Sequence, residues 1–124
     1  MASLLNDIKA QAGWAVKAFG ADGYKLDYSF TSLMEVDRFM LANSKNGSPI
    51  KGGRLTKNLG PVVFSIGAYI GETLIKLVPG AKWQVDDDDP QGEITAAAIF
   101  PDGSQVWPMM KMMKRYQNGP EDSI

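Results

Sequence analysis

The sequence predicts an α+β domain, and three observations carry the prediction. Apolar residues fall at helical spacing in three segments before Pro79, alternate at strand spacing between Ala81 and Trp107, and return to helical spacing after Pro108. One stretch, Leu59 to Val78, is apolar on nearly every side and has to be covered on nearly every side. A chain of 124 residues suits one domain with one core. The expected architecture is N-terminal helices and a buried central helix packed on a small three-stranded antiparallel meander, with a C-terminal helix. Residues 1–124 form a single domain in this reading, with a mobile loop at 43–58 and a tail at 119–124.

Ser3 can cap a first helix running to about Phe19, whose stripe is Leu4, Leu5, Ile8, Ala12, Ala15, Val16 and Phe19. Trp14 lies off that stripe and faces either a second element or solvent. Gly20 is the expected stop. Asp22-Gly23 makes a turn, Tyr24 to Tyr28 is extended, and Ser32-Leu33-Met34-Glu35 fits the S-x-x-E capping box. A second helix then carries Leu33, Val36, Phe39 and Met40 on one face to about Ala42. Asn43 to Asn58 holds three glycines, one proline, four basic residues and no acid, which reads as a mobile loop.

In the central helix Pro61 suits the first turn, and Pro79 with Gly80 supplies the stop. On a wheel of about 100° per residue, Val62, Val63, Ile66, Tyr69, Ile70, Thr73, Leu74 and Leu77 share one broad face. Phe64, Ala68 and Ile75 lie opposite, leaving Ser65, Glu72 and Lys76 as a polar strip. Ala81, Trp83 and Val85 alternate with Lys82 and Gln84 as a strand. A loop follows from Asp86 to Gly92, then a second strand from Glu93 to Phe100 through the helix-friendly run Ala96-Ala97-Ala98. Pro101-Asp102-Gly103-Ser104 is a reverse turn into a third strand, Gln105-Val106-Trp107. Pro108 opens a last helix with Met109, Met112, Met113 and Tyr116 on one face, ended by Asn118-Gly119-Pro120.

Composition limits the chemistry. The chain has no cysteine and no histidine, which leaves no disulfide, no zinc thiolate site, no thiol nucleophile and no imidazole base. The net charge is −1, yet residues 1–60 carry eight Lys or Arg against five acids, and residues 61–124 carry five against nine. Neither half is basic enough to mark a nucleic-acid interface. The N-terminus lacks the basic start, apolar run and small-residue cleavage site of a secretory signal. The apolar run before Glu72 is shorter than the ~20 residues a membrane span needs. The expectation is a cytoplasmic, soluble, non-enzymatic protein without a cofactor or metal, contacting neither nucleic acid nor membrane.

Several motifs admit two readings. Gly67 and Gly71, one helical turn apart, let another backbone come close, either inside the domain or in a docking groove. Glu72 is the only acid on its helix. Exposed, it pairs with Lys76; buried, it needs a basic partner, with Arg38 and Lys82 the candidates. The acid run Asp86-Asp87-Asp88-Asp89 opens like a calcium loop, as Asp87-x-Asp89-x-Gln91-Gly92, but its twelfth position is Ala98 where a bidentate Glu is required. That leaves a solvated acidic loop or a recognition loop for a basic partner. Gly47-x4-Gly52 has Gly53 where a phosphate loop needs lysine. The methionines of the last helix are either core filler or an adaptable binding face.

Three pieces also carry a resemblance: Leu26-Asp27-Tyr28-Ser29 through Ser32-Leu33 to Val36-Asp37-Arg38, then Ile66-Gly67-Ala68-Tyr69-Ile70-Gly71-Glu72, then Gly80-Ala81-Lys82-Trp83. In this order, over residues 24–107, the chain resembles a group of small bacterial domains of unknown function, some of them similar to immunity proteins encoded beside secreted toxins. The resemblance implies an α+β domain with no established catalytic residues and a protein partner. The expected function is therefore a non-catalytic protein-binding domain, an immunity-type protein neutralising a toxin. Asp86, Asp87, Asp88, Asp89 and Glu72 are the candidate partner-binding residues. The alternative is a self-associating structural module joined through Gly67/Gly71 or the Met-rich last helix. The oligomeric state is left open between monomer and homodimer.

Overall fold

The structure, a computed structural model, describes residues 4–45, 48–49, 59–89 and 92–118. Its fold is α+β. Helices α1 (Leu4–Ala21), α2 (Phe30–Asn43) and α3 (Leu59–Leu77) precede strand β3 (Lys82–Gln84), a single helical turn α4 (Gly92–Thr95), strands β4 (Ala97–Ile99) and β5 (Gln105–Val106), and helix α5 (Pro108–Asn118). A two-residue pair, β1 (Ser44–Lys45) and β2 (Ser48–Pro49), lies between α2 and α3. That antiparallel pair occupies part of what reads as a mobile loop in the sequence. The rest of that loop, 46–47 and 50–58, and the tail at 119–124 lie outside the described residues.

The core forms around α3. Helix α1 packs along one flank and α5 along another, with α2, β3 and β4 completing the cover. Val62, Val63, Ile66, Ala68, Tyr69 and Ile70 are buried, as the all-round apolar pattern requires. Of the supposed polar strip only Lys76 is exposed; Ser65 and Glu72 are inside. Ser65 satisfies its hydroxyl by donating to the Val62 carbonyl at 2.8 Å.

Gly67 and Gly71 are consumed by this packing. A Cβ at Gly67 would lie 2.9 Å from the Met109 Cα, and one at Gly71 would run into the Trp83 ring and stand 3.1 Å from Pro108 Cγ. The docking-groove reading of these glycines is therefore corrected: α5 and β3 already fill the groove. The cover of α5 also differs from expectation. Met109, Met112 and Tyr116 are buried, whereas Met113 is exposed and Arg115 takes the inward position. The buried arc of α5 is turned toward the Pro108 and Arg115 side of the helix.

Helix ends follow local chemistry, with two shifts from the sequence reading. Helix α1 passes Gly20 and stops at Gly23, whose φ is 90°. There Tyr24 N–H donates to the Phe19 carbonyl at 2.9 Å and Gly23 N–H to the Gly20 carbonyl at 3.1 Å, a Schellman closure. The residue after the glycine folds back onto the helix, and Tyr24 meets Phe19 edge-on at 6.3 Å. Phe19 in turn stacks on Phe39 of α2 at 4.3 Å. Helix α2 is capped by Ser29, three residues before Ser32: the Ser29 side chain accepts from Ser32 N–H at 3.1 Å. Ser32 is buried and linked to Tyr69 at 2.5 Å, so its hydroxyl serves the interior.

The sheet is the expected meander, in the order β3-β4-β5 and antiparallel throughout. Trp83, Ala98 and Val106 stand in one register row, and the Trp83 ring places that row toward α3. Gln84 with Ala97, and Lys82 with Ile99 and Gln105, therefore face away from α3. The second strand is shorter than predicted, because Gly92 to Thr95 coil into α4 before the chain extends. Gly92 is pressed between the Asp86 carbonyl and Leu4, where an added Cβ would stand 2.8 Å from each. The β4–β5 turn is as predicted: Gly103 has φ 88°, and hydrogen bonds from the Ser104 hydroxyl and N–H hold the Asp102 carboxyl below its usual range.

The glycines give an opposed pair of expectations. Gly71→Ala gains about 1 kcal/mol of helix propensity and loses about 1–3 kcal/mol to overpacking against Trp83, so its melting temperature falls. Gly13→Ala, in α1 with nothing within 4 Å of the added carbon, raises it by the propensity gain alone. Thermal melts of the two variants beside the native chain check both signs.

Candidate functional site

Four adjacent carboxylates repel one another, so a loop that carries them needs donors to hold its shape. In Asp86–Asp89 the donors come from the chain itself. Asp88 N–H donates to Asp86 Oδ1 at 3.0 Å, and Asp89 N–H to the Asp86 carbonyl at 3.2 Å. Gly92 N–H closes back on the Asp89 carbonyl at 3.0 Å, and the Thr95 hydroxyl donates to Asp89 Oδ2 at 3.0 Å. Asp86, Asp87 and Asp88 are exposed and Asp89 is half-buried.

Asp87 does something the sequence spacing does not disclose. Its Oδ1 accepts the N–H of Leu4, the first residue of α1, at 2.7 Å across 83 residues. The carboxylate thus caps α1 from a distant loop, where the helix N-terminus favours negative charge. Ser3, the cap expected from sequence, lies outside the described residues. Asp87 therefore ties the start of α1 to the loop after β3. Among the described residues no group of acidic side chains is arranged to hold a metal ion.

Beside this loop the outer face of the sheet is hollowed. A recess of about 120 Å³ is lined by Gln84, Val85, Asp86, Thr95, Ala97, Gln105 and Trp107. Ala97, 3% exposed, is a small residue on the outward row of the central strand, and Trp107 beside it is 44% exposed. Asp86 and Thr95 belong to both features, so the acidic loop and the recess are one surface. Sequence reading placed Trp107 only as a strand residue. The signal that could have found it is the alanine on the neighbouring strand, which leaves an aromatic wall without an opposing side chain.

Glu72 is not part of that surface. It is 8% exposed on α3, behind the sheet, and accepts the indole N–H of Trp83 at 3.2 Å. Among the described residues it forms no ion pair. Lys82 faces the opposite side of the sheet, and Arg38 is bound to Glu35 at 2.6 Å, so neither basic candidate pairs with it. Its charge is felt nearby: burial first, then Glu72, then Tyr69 push the Tyr28 phenol above its ordinary value. Lys76, the remaining candidate neighbour, sits over the Tyr28 ring at 5.0 Å.

Comparison of the chain with protein-family models, curated proteins and solved structures finds no match. The site is therefore read from its own geometry. No helix among the described residues is long and apolar enough to cross a membrane.

The loop's division of labour is measurable. Asp87→Ala removes the cap of α1 and costs about 1 kcal/mol. Asp88→Ala, whose carboxylate has no hydrogen-bond partner among the described residues, changes stability by less than about 0.5 kcal/mol. Urea unfolding monitored by circular dichroism distinguishes the two.

Proposed function

We propose that this chain is a non-catalytic protein-binding domain of the immunity type, cytoplasmic, that neutralises a toxin by meeting a basic surface on it. The observation that carries the reading is the Asp86–Asp89 loop, whose shape is fixed by its own hydrogen bonds while three of its four residues stay exposed. A loop ordered before contact loses little entropy on binding, which favours affinity. Clustered charge of one sign speeds encounter with a partner of the other sign. The lack of histidine and cysteine supports a binding role over a catalytic one. The resemblance in residues 24–107 supports the immunity setting, in which the partner is a toxin encoded nearby.

The test is capture of the protein encoded by the gene next to this one. Binding is expected, with an association rate that drops at least tenfold when Asp86, Asp87, Asp88 and Asp89 are all changed to Asn, because asparagine keeps a cap acceptor and loses the charge. No binding, or an unchanged rate, overturns the proposal.

A second reading, self-association, is favoured by one specific surface. Phe30, Met34 and Leu41 lie within a narrow arc of α2 and are 60%, 70% and 58% exposed. This stripe replaces the Gly67/Gly71 surface, which is filled internally, as the face a second copy would cover. If it does so, the mass by light scattering rises with concentration and Met34→Lys returns it to that of a monomer. A concentration-independent monomer removes the reading.

A further inference from the structure

We propose that the recess beside the aspartate loop receives one arginine side chain of the partner. The inference rests on the protein-binding reading and names what that surface grips. Size sets the class of occupant: about 120 Å³ is room for a side chain, well below the roughly 300–1,000 Å³ of a small-molecule pocket. Ala97 and Val85 line it with little bulk, and Trp107, 44% exposed, is its one aromatic residue. An exposed indole face attracts a cation laid over it, and a planar guanidinium stacks there better than an ammonium.

The rim supplies acceptors for the same group. Asp86 uses Oδ1 for the Asp88 N–H, and a carboxylate has further lone pairs to accept a guanidinium. Gln84 and Gln105 also line the recess, and among the described residues their side-chain amides make no hydrogen bond; each offers a carbonyl oxygen. No basic residue lines the recess; Lys82, two strands away in the register row of Gln105, is not among its lining residues. An apolar occupant would desolvate Asp86 and both glutamines without giving them a partner, which is costly. The remaining aspartates add long-range attraction for the same positive charge.

The probe is the blocked tripeptide acetyl-Gly-Arg-Gly-amide, titrated into the 15N-labelled chain while the Trp107 indole resonance is followed by NMR. Saturable shifts at millimolar peptide are expected, with affinity at least fivefold weaker for the citrulline peptide, which keeps the shape and lacks the charge. The lysine peptide is expected to be weaker as well. Ala97→Val fills the recess with a strand-forming residue and Asp86→Asn removes the rim charge; each should weaken binding at least fivefold. No shift with arginine, equal shifts with citrulline, or full affinity in Ala97→Val overturns the inference. Failure here is separable from failure of the broader reading. If the neighbouring gene's product still binds with its aspartate dependence while Ala97→Val has no effect, the recess assignment falls and the binding reading stands.

Discussion

The structure depends on how close α3 can come to what covers it. At Gly67 and Gly71 there is no side chain, so the start of α5 and the Trp83 ring rest on the backbone of α3. Everything outward of that contact is positioned by it. The six-membered ring of Trp83 meets the helix at Gly71, so the sheet hangs from α3 by β3. Pro108 and Met109 meet the same two glycines, so α5 starts where the sheet ends. Glycine in a helix interior costs about 1 kcal/mol each, and the chain retains two within one turn because the apolar cover they admit is worth more.

Polar groups inside the domain are arranged to match this packing. Tyr28 N–H donates to the Tyr69 hydroxyl at 2.8 Å, and the Ser32 hydroxyl donates to the Ser29 carbonyl at 2.6 Å. A hydroxyl has one proton, so Tyr69 must be the donor in its contact with Ser32. The chain of donors runs from Tyr28 through Tyr69 and Ser32 to Ser29, each bond polarising the next. It fixes the start of α2 to the middle of α3 and accounts for Tyr28, a non-glycine residue held at φ 63°. On the other side of the domain, Arg115 is 2% exposed and donates to Asp37 of α2 at 3.0 Å. Asp37 is half-buried, and removing it would leave the buried guanidinium without this acceptor, which is costly. The pair therefore helps set where α5 lies against α2.

The sequence discloses those parts of this design that are periodic or local. The all-round apolar character of residues 59–78, the alternation around Trp83 and the Pro-Asp-Gly-Ser turn each lead to the observed element. What it hides depends on contacts between residues far apart. Ser32 fits a cap by its spacing to Glu35, yet Tyr69, 37 residues beyond, engages the Ser32 hydroxyl and Ser29 caps the helix. Arg115 has the look of a surface residue until Asp37, 78 positions away, is placed opposite it. The Ala96–Ala98 run permits either helix or strand; the helical turn ends before it at Thr95, and Ala97 and Ala98 extend as strand. The candidate site divides the same way. Four adjacent aspartates are conspicuous in any sequence, but the recess needs Ala97 and Trp107 brought together from β4 and from beyond β5.

The aspartate loop shows how one charge run can meet two demands. Carboxylates placed only for solvent would leave the loop loose, and carboxylates wholly engaged within the fold would present little charge outward. Here Asp86 and Asp89, the two ends of the run, accept bonds that close the loop, and Asp87 reaches across to Leu4. Each of these bonds takes one of a carboxylate's several lone pairs and leaves its charge in place. The loop therefore keeps carboxylates at its surface while its geometry is that of a capped turn. Because Asp87 also carries the helix N-terminus, the charge of the loop and the stability of α1 are linked through one side chain. A cation at Asp87 would share that carboxylate with the Leu4 N–H that caps α1, whereas one at Asp86 would share its carboxylate with the Asp88 N–H inside the loop. Of the two, Asp86, at the edge of the recess, is the carboxylate on which the cap of α1 does not depend.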